Sequence, residues 1–261
     1  MNTHHSSMSP RRHAGFTLVE LMVAMTIGLL LMALIATLFL TNSRTYATTD
    51  DNARMQENAR YVTSMLGRMV RMAGYVPSGT SVPGSFAAIA GTDGGGTVSD
   101  SFTVSYYGSS DASGAADGMV VDCLGNAIGA TQMSVNKFYV AAGGDGHDAL
   151  FCDNTGSSSG ITAAATQLIP DVANMQVLYG EEINGNPDLV RFVTRGDVGD
   201  MNNVISLRAA LLFQSPTTSA AVKDTQTYAL DDVTVGPFND LYRRRRTDTT
   251  ITLRNRTSPA S

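Results

Sequence analysis

At 261 residues the chain is long enough for one large domain or two small ones around a buried core. With 23 acidic against 18 basic side chains its formal charge is −5, which argues against a surface built to neutralise nucleic acid along its whole length. Two cysteines exclude a four-cysteine zinc site, the lack of tryptophan excludes a tryptophan-based ligand platform, and 43 % hydrophobic against 16 % charged residues excludes long disorder.

Residues 1–15 contain Arg11 and Arg12 and no acid. Phe16 to Leu40 is an apolar run, FTLVELMVAMTIGLLLMALIATLFL, and its only charge is Glu20. A helix rises about 1.5 Å per residue, so residues 21–40 span roughly 30 Å, one hydrocarbon core. The basic flank is expected to stay cytoplasmic while the rest is exported. A secretory signal peptide has a shorter apolar region followed by a small-residue cleavage site, and Tyr46-Ala47-Thr48-Thr49 matches that poorly. A carboxylate inside such a helix costs about 2.5–3.5 kcal/mol near the bilayer centre and less toward the interface, so Glu20 needs a reason. Thr17-x-x-Glu20 fits a capping box, which gives it one; pairing with a buried positive charge would give it another, and the two roles are compatible.

Beyond Leu40 the sequence turns polar with no Pro or Gly before Gly67. Met55, Ala59, Val62, Leu66, Met69 and Ala73 recur at steps of three and four, one stripe of an amphipathic helix, with Arg54, Glu57, Arg60, Arg68 and Arg71 off it. Gly74 and Pro77 give a stop. The pattern predicts one helix from about Phe16 to Ala73. Residues 16–40 would be membrane-spanning, and residues 41–74 would pack on a head formed by residues 75–261. Met65, Met69 and Met72 read as core.

Residues 78–100, 108–118 and 153–166 are rich in Gly, Ser, Ala and Asp and read as loops. Strands are expected at Phe102 to Tyr107, Met119 to Cys123, Val135 to Val140, Met175 to Tyr179, Leu189 to Val193, Val204 to Phe213 and Thr249 to Leu253. Strands clustered after one long helix indicate an α+β fold, the helix packed on a mainly antiparallel sheet.

Catalytic chemistry is sparse. After residue 15 the single histidine is His147, so a Ser-His-Asp triad would have to use it beside Asp145 or Asp148. No P-loop pattern occurs. Asp145-Gly146-His147-Asp148 and Asn184-Gly185-Asn186-Pro187-Asp188 read as turns; calcium is the alternative, without EF-hand spacing. In Arg243 to Arg246 the side chains of a strand alternate, so at most two face one way. Ion pairing with Asp231 or Asp232 is expected there, and DNA contact is the lesser reading.

Arg11-Arg12-His13-Ala14-Gly15-Phe16-Thr17-Leu18-Val19-Glu20-Leu21, followed by an uninterrupted apolar run, resembles the prepilin signal of type IV pilins and type II secretion pseudopilins. The resemblance implies cleavage between Gly15 and Phe16, N-methylation of Phe16, and pairing of Glu20 with the terminal amine of a neighbouring subunit during assembly. Gln56 to Tyr61 leading to Arg71 to Tyr75, Ile169 to Gly180, Val204 to Ser215, and Arg243 to Asn255 are similar to the PilW family of minor pilins. That family implies a non-enzymatic structural subunit that primes type IV pilus assembly near the pilus tip. It implies a single pass of the inner membrane with a periplasmic head, then a place in the extracellular pilus. Its partners would be other minor pilins, the major pilin, the prepilin peptidase and the inner-membrane assembly platform, with no cofactor and no metal. A type II secretion pseudopilin is the alternative, followed by a periplasmic DNA- or calcium-binding module. Cys123 and Cys152 would both reach the oxidising periplasm, where a disulfide closing this loop would stabilise by about 3–4 kcal/mol in the chain-entropy model. The rival use of these cysteines is a metal site with His147, which would need carboxylates to complete it.

Overall fold

The computed structural model describes residues 15, 17–81, 86–157, 165–183, 185–218 and 220–256. The leader up to Ala14, the methylation candidate Phe16, Asn184 and parts of the loops at 78–100 and 153–166 lie outside these residues. The chain divides after Ala47 into two compact units.

Helix α1 (Leu18–Met72) begins in the first unit and ends in the second. In the first unit its side chains from Leu18 to Leu40 are exposed, and the helix is long and apolar enough to cross a membrane by length and composition. Its threonines do not break that character. The hydroxyls of Thr26, Thr37, Thr41 and Thr45 donate to the carbonyls of Val23, Leu34, Thr37 and Thr41 at 2.8–2.9 Å. Each polar group is therefore satisfied inside the helix, which an apolar solvent requires.

In the second unit α1 buries Met55, Ala59, Val62, Leu66 and Met69, widened by Met65 and Val70, while Arg54, Glu57, Arg60, Arg68 and Arg71 stay exposed. The period-3.6 stripe thus becomes the face that meets the head. Gly74 ends the helix region at φ 75°, the left-handed conformation that glycine adopts without a Cβ penalty.

Two antiparallel sheets receive that face. The first is a meander of β1 (Ile89–Thr92), β2 (Ser101–Tyr107), β3 (Met133–Ala142), β4 (Asp148–Asp153) and β5 (Thr166–Ile169), in that order. The second comprises β6 (Val172–Ile183), β7 (Asn186–Val193), β8 (Val204–Gln214) and β11 (Arg244–Thr252), ordered β11-β8-β6-β7. A ribbon of β9 (Tyr228–Leu230) and β10 (Val233–Val235) completes the head.

One core joins α1 to both sheets through Phe102, Val104, Tyr106 and Phe138 on one side and Met175, Val177, Tyr179, Leu207, Leu211 and Phe213 on the other. Strand β8 is apolar almost throughout because both its faces are covered. Leu207, Ala209, Leu211 and Phe213 enter the main core, while Ala210 and Leu212 meet Leu230 and Val235 in a second, smaller one. The α+β class and antiparallel pairing agree with the sequence reading.

The sequence reading did not place β4, β5, β9 or β10, and further details differ from it. Met119 to Cys123 is no strand: Met119 is 84 % exposed, Val121 makes only an isolated bridge to Ala127, and Asp122 ties the segment into a turn by accepting from the backbone of Leu124 and Asn126 at 2.8 Å. The 78–100 segment is not all loop, since it contains β1. Residues 97–100 of that segment also cover the part of the β6 edge that β7 leaves open. Asp100 N–H donates to Met175 O at 2.8 Å, Val177 N–H donates to Asp100 Oδ2 at 2.8 Å, and the amides of Asn174 and Gln176 donate to the carbonyls of Thr97 and Val98. A polar loop here replaces a neighbouring strand and hides the edge.

Candidate assembly site and the clusters of the head

Thr17 precedes α1 and Glu20 lies in its first turn. Oε2 of Glu20 accepts from Thr17 N–H at 3.1 Å and from Thr17 Oγ1 at 3.2 Å, and Glu20 N–H donates back to Thr17 Oγ1 at 3.2 Å. This is a reciprocal capping box. Every cap contact of the carboxylate falls on Oε2, and the side chain is exposed, so a second partner has access to it. Among the described residues nothing lies within 4 Å of a Cβ built on Gly15, so packing does not demand glycine there.

Cys123 and Cys152 are bonded to each other. Cys152 sits fully buried in β4, and Cys123 is held by its own N–H, which donates to Asn136 Oδ1 at 2.9 Å. Beside it, buried Asp122 accepts from the amides of Asn126 at 2.9 Å and Asn154 at 2.6 Å. The bond therefore fastens a loop with little regular structure to the first sheet.

The arginine run alternates as a strand should. Arg244 points inward, its side chain 3 % exposed, with its guanidinium on Asp240 at 2.7 Å and Asp224 at 3.1 Å and stacked 3.7 Å over the Phe238 ring. Arg244 holds the Asp240 carboxyl below the usual carboxylate range. Arg246 bonds Asp248 at 2.7 Å and approaches Asp231 at 3.9 Å, while burial pushes the Asp231 carboxyl up. Asp231 was legible as a partner in the sequence; Asp224 and Asp240 were not, since they lie in irregular segments without a period.

His147 lies in the turn between β3 and β4. Its Nδ1 is 2.8 Å from Asp171 Oδ1 and its Nε2 is 3.3 Å from Tyr242 Oη. Among the described residues the ring nitrogens meet Asp171 and Tyr242 and no serine hydroxyl, so no triad is assembled there. Asp145 joins this group: carboxylate oxygens of Asp145 and Asp171 and a ring nitrogen of His147 all lie within 4.8 Å of one another.

The C-terminal end of α1 has a cap that the sequence reading missed. Asn255 Nδ2 donates toward the carbonyls of Arg71, Met72 and Ala73 at 3.3, 3.3 and 3.1 Å. These belong to the set of helix carbonyls that find no partner within a helix.

Comparison with known proteins matches these parts. The N-terminal region fits the prokaryotic N-terminal methylation motif over residues 10–36, and the head fits the type IV pilus-assembly protein W family over residues 137–255. The chain thus carries a PilW-like head behind a methylation motif. The matched part runs from within β3 to Asn255 and takes in the whole second sheet, the arginine cluster and the capping asparagine. A type IV-like pilin from Thermus thermophilus shares the fold at a TM-score of 0.50 with 17 % identity, over 78 % of this chain and 98 % of that one. No curated protein sequence matches significantly.

Proposed function

We propose that this chain is a non-enzymatic minor pilin of the PilW family that primes type IV pilus assembly and resides near the pilus tip. The observation that carries the reading is the conjunction of a methylation motif, a bare apolar helix start and a PilW head in one chain. Residues 1–15 are the leader that the prepilin peptidase removes, residues 16–40 anchor the subunit in the inner membrane, residues 41–74 continue the helix and residues 75–261 form the periplasmic head. Phe16 then carries the methylated amine. Glu20 pairs with the amine of an adjacent subunit as the helices bundle, which offsets the cost of burying either charge alone. The exposed Glu20 carboxylate, capped through one oxygen only, supports that role.

Co-purification from membranes tests the partner assignment. The full chain should bring down other minor pilins and the major pilin, and its deletion should reduce pilus number. Recovery of secretion-channel components instead, with pilus number unchanged, would assign it to a type II secretion system.

A further inference from the structure

We propose that Asp145, His147 and Asp171 form a binding site for a divalent transition metal ion of the zinc class, bridging the two sheets of the head. The three side chains come from separate places. Asp145 and His147 sit in the β3–β4 turn of the first sheet, while Asp171 lies between β5 and β6, where the chain passes to the second sheet. Their donor atoms already lie within 4.8 Å of one another. Ligands of a tetrahedral zinc site are about 3.4 Å apart at bond lengths near 2.1 Å, so small side-chain rotations suffice.

The imidazole is set up as a ligand. A metal-bound histidine donates its other ring N–H to an oxygen, which fixes tautomer and ring plane. Tyr242 Oη occupies that position at 3.3 Å from Nε2, and the Tyr242 ring packs edge-on against the imidazole at 5.2 Å. Nδ1 lies at hydrogen-bond distance, 2.8 Å, from Asp171 Oδ1; a metal ion entering between them replaces the shared proton, and Nε2–H is then the donor toward Tyr242. Asp145 is exposed and Asp171 buried, so the site has a solvent side and a fixed inner side. One nitrogen and two carboxylates suit zinc, cobalt or nickel, whereas calcium and magnesium select oxygen alone. The fourth position is left for water or a donor from another subunit. From the sequence Asp145 and His147 read as turn chemistry, and Asp171, 24 residues from His147, was not placed with them.

The test uses the full chain in detergent after chelator treatment, with His4, His5 and His13 replaced by glutamine so that the leader adds no ligands. Zinc titration by calorimetry should show one ion per chain, zinc should raise the melting temperature, and cobalt should give visible ligand-field bands that zinc abolishes. His147→Gln and the exposed Asp145→Asn should each weaken zinc binding at least tenfold, and Tyr242→Phe about tenfold through loss of the ring's orienting partner. Asp145→Asn removes no packing, so its result holds even if His147→Gln unfolds. The proposal is overturned if the parent chain takes up no zinc, if calcium binds as tightly as zinc, or if affinity survives both ligand substitutions.

Discussion

The amide of Asn255 illustrates how much one side chain can settle. It donates toward three carbonyls at the end of α1, of which Met72 O also accepts from Tyr75 N–H at 2.9 Å. Asn255→Ala should destabilise the head by about 1 kcal/mol, the net worth of a typical hydrogen bond, and lower its melting temperature by about 2–4 °C. Thermal unfolding followed by circular dichroism reads it; an unchanged melting temperature would show that water caps the helix equally well. At the other end of α1, Glu20→Gln separates two roles. Glutamine keeps an acceptor for Thr17 and so retains the cap, but it carries no charge for a neighbour's amine. Leader cleavage and protein level should be normal while incorporation into pili falls. Wild-type pilus numbers in that variant would leave capping as the only role of Glu20.

At the scale of elements, the loop that carries Cys123 depends on its covalent tie. Replacing both cysteines by serine should cost about 3–4 kcal/mol for the 29-residue separation in the chain-entropy model. Denaturant melts of the oxidised parent and the double variant would measure it; a difference below about 1 kcal/mol would mean that the Asp122 turn alone holds the loop. The arginine cluster adds a dependence on acid. The Asp240 carboxyl is depressed by Arg244, so the folded state binds its proton less readily than the unfolded one. Its stabilising contribution is present above the ordinary carboxylate range and is lost as pH falls through the depressed value. Asp240→Asn should therefore be less stable than the parent at neutral pH, and the gap should close on acidification. A gap that stays constant with pH would exclude this origin. Legibility in the sequence followed the same division. The stripe from Met55 to Ala73 and strand β8 were readable because each has a period or an unbroken apolar run. Strands β1, β9 and β10 are three or four residues long and carry too little pattern. Met119 to Cys123 misled because an apolar run looks buried, whereas here a buried aspartate sets the backbone. The Thr17–Glu20 box was visible because it is local; the group around His147 was not, because Asp171 and Tyr242 are remote in sequence.

For the whole molecule, the proposed removal of the leader is the event most directly measured. Mass spectrometry of the membrane-derived protein should find Phe16 as a methylated N-terminus, and an intact leader or a cut after residue 40 would sink that assignment. Gly15→Phe should leave precursor in the membrane with a folded head, since nothing among the described residues crowds position 15. The cap on α1 also has a bearing on the order of events during synthesis. Arg71 leaves the ribosome 184 residues before Asn255 does, and β11, which pairs with β8, comes just ahead of that asparagine. The helix that is made first is thus sealed by a segment of the head made much later. A chain interrupted before residue 244 has an anchor but neither the closing strand nor the helix seal, and it leaves one side of β8 open. Fragments of this kind would be marked for proteolysis by their own exposed edge, so only a chain completed through β11 has a closed head.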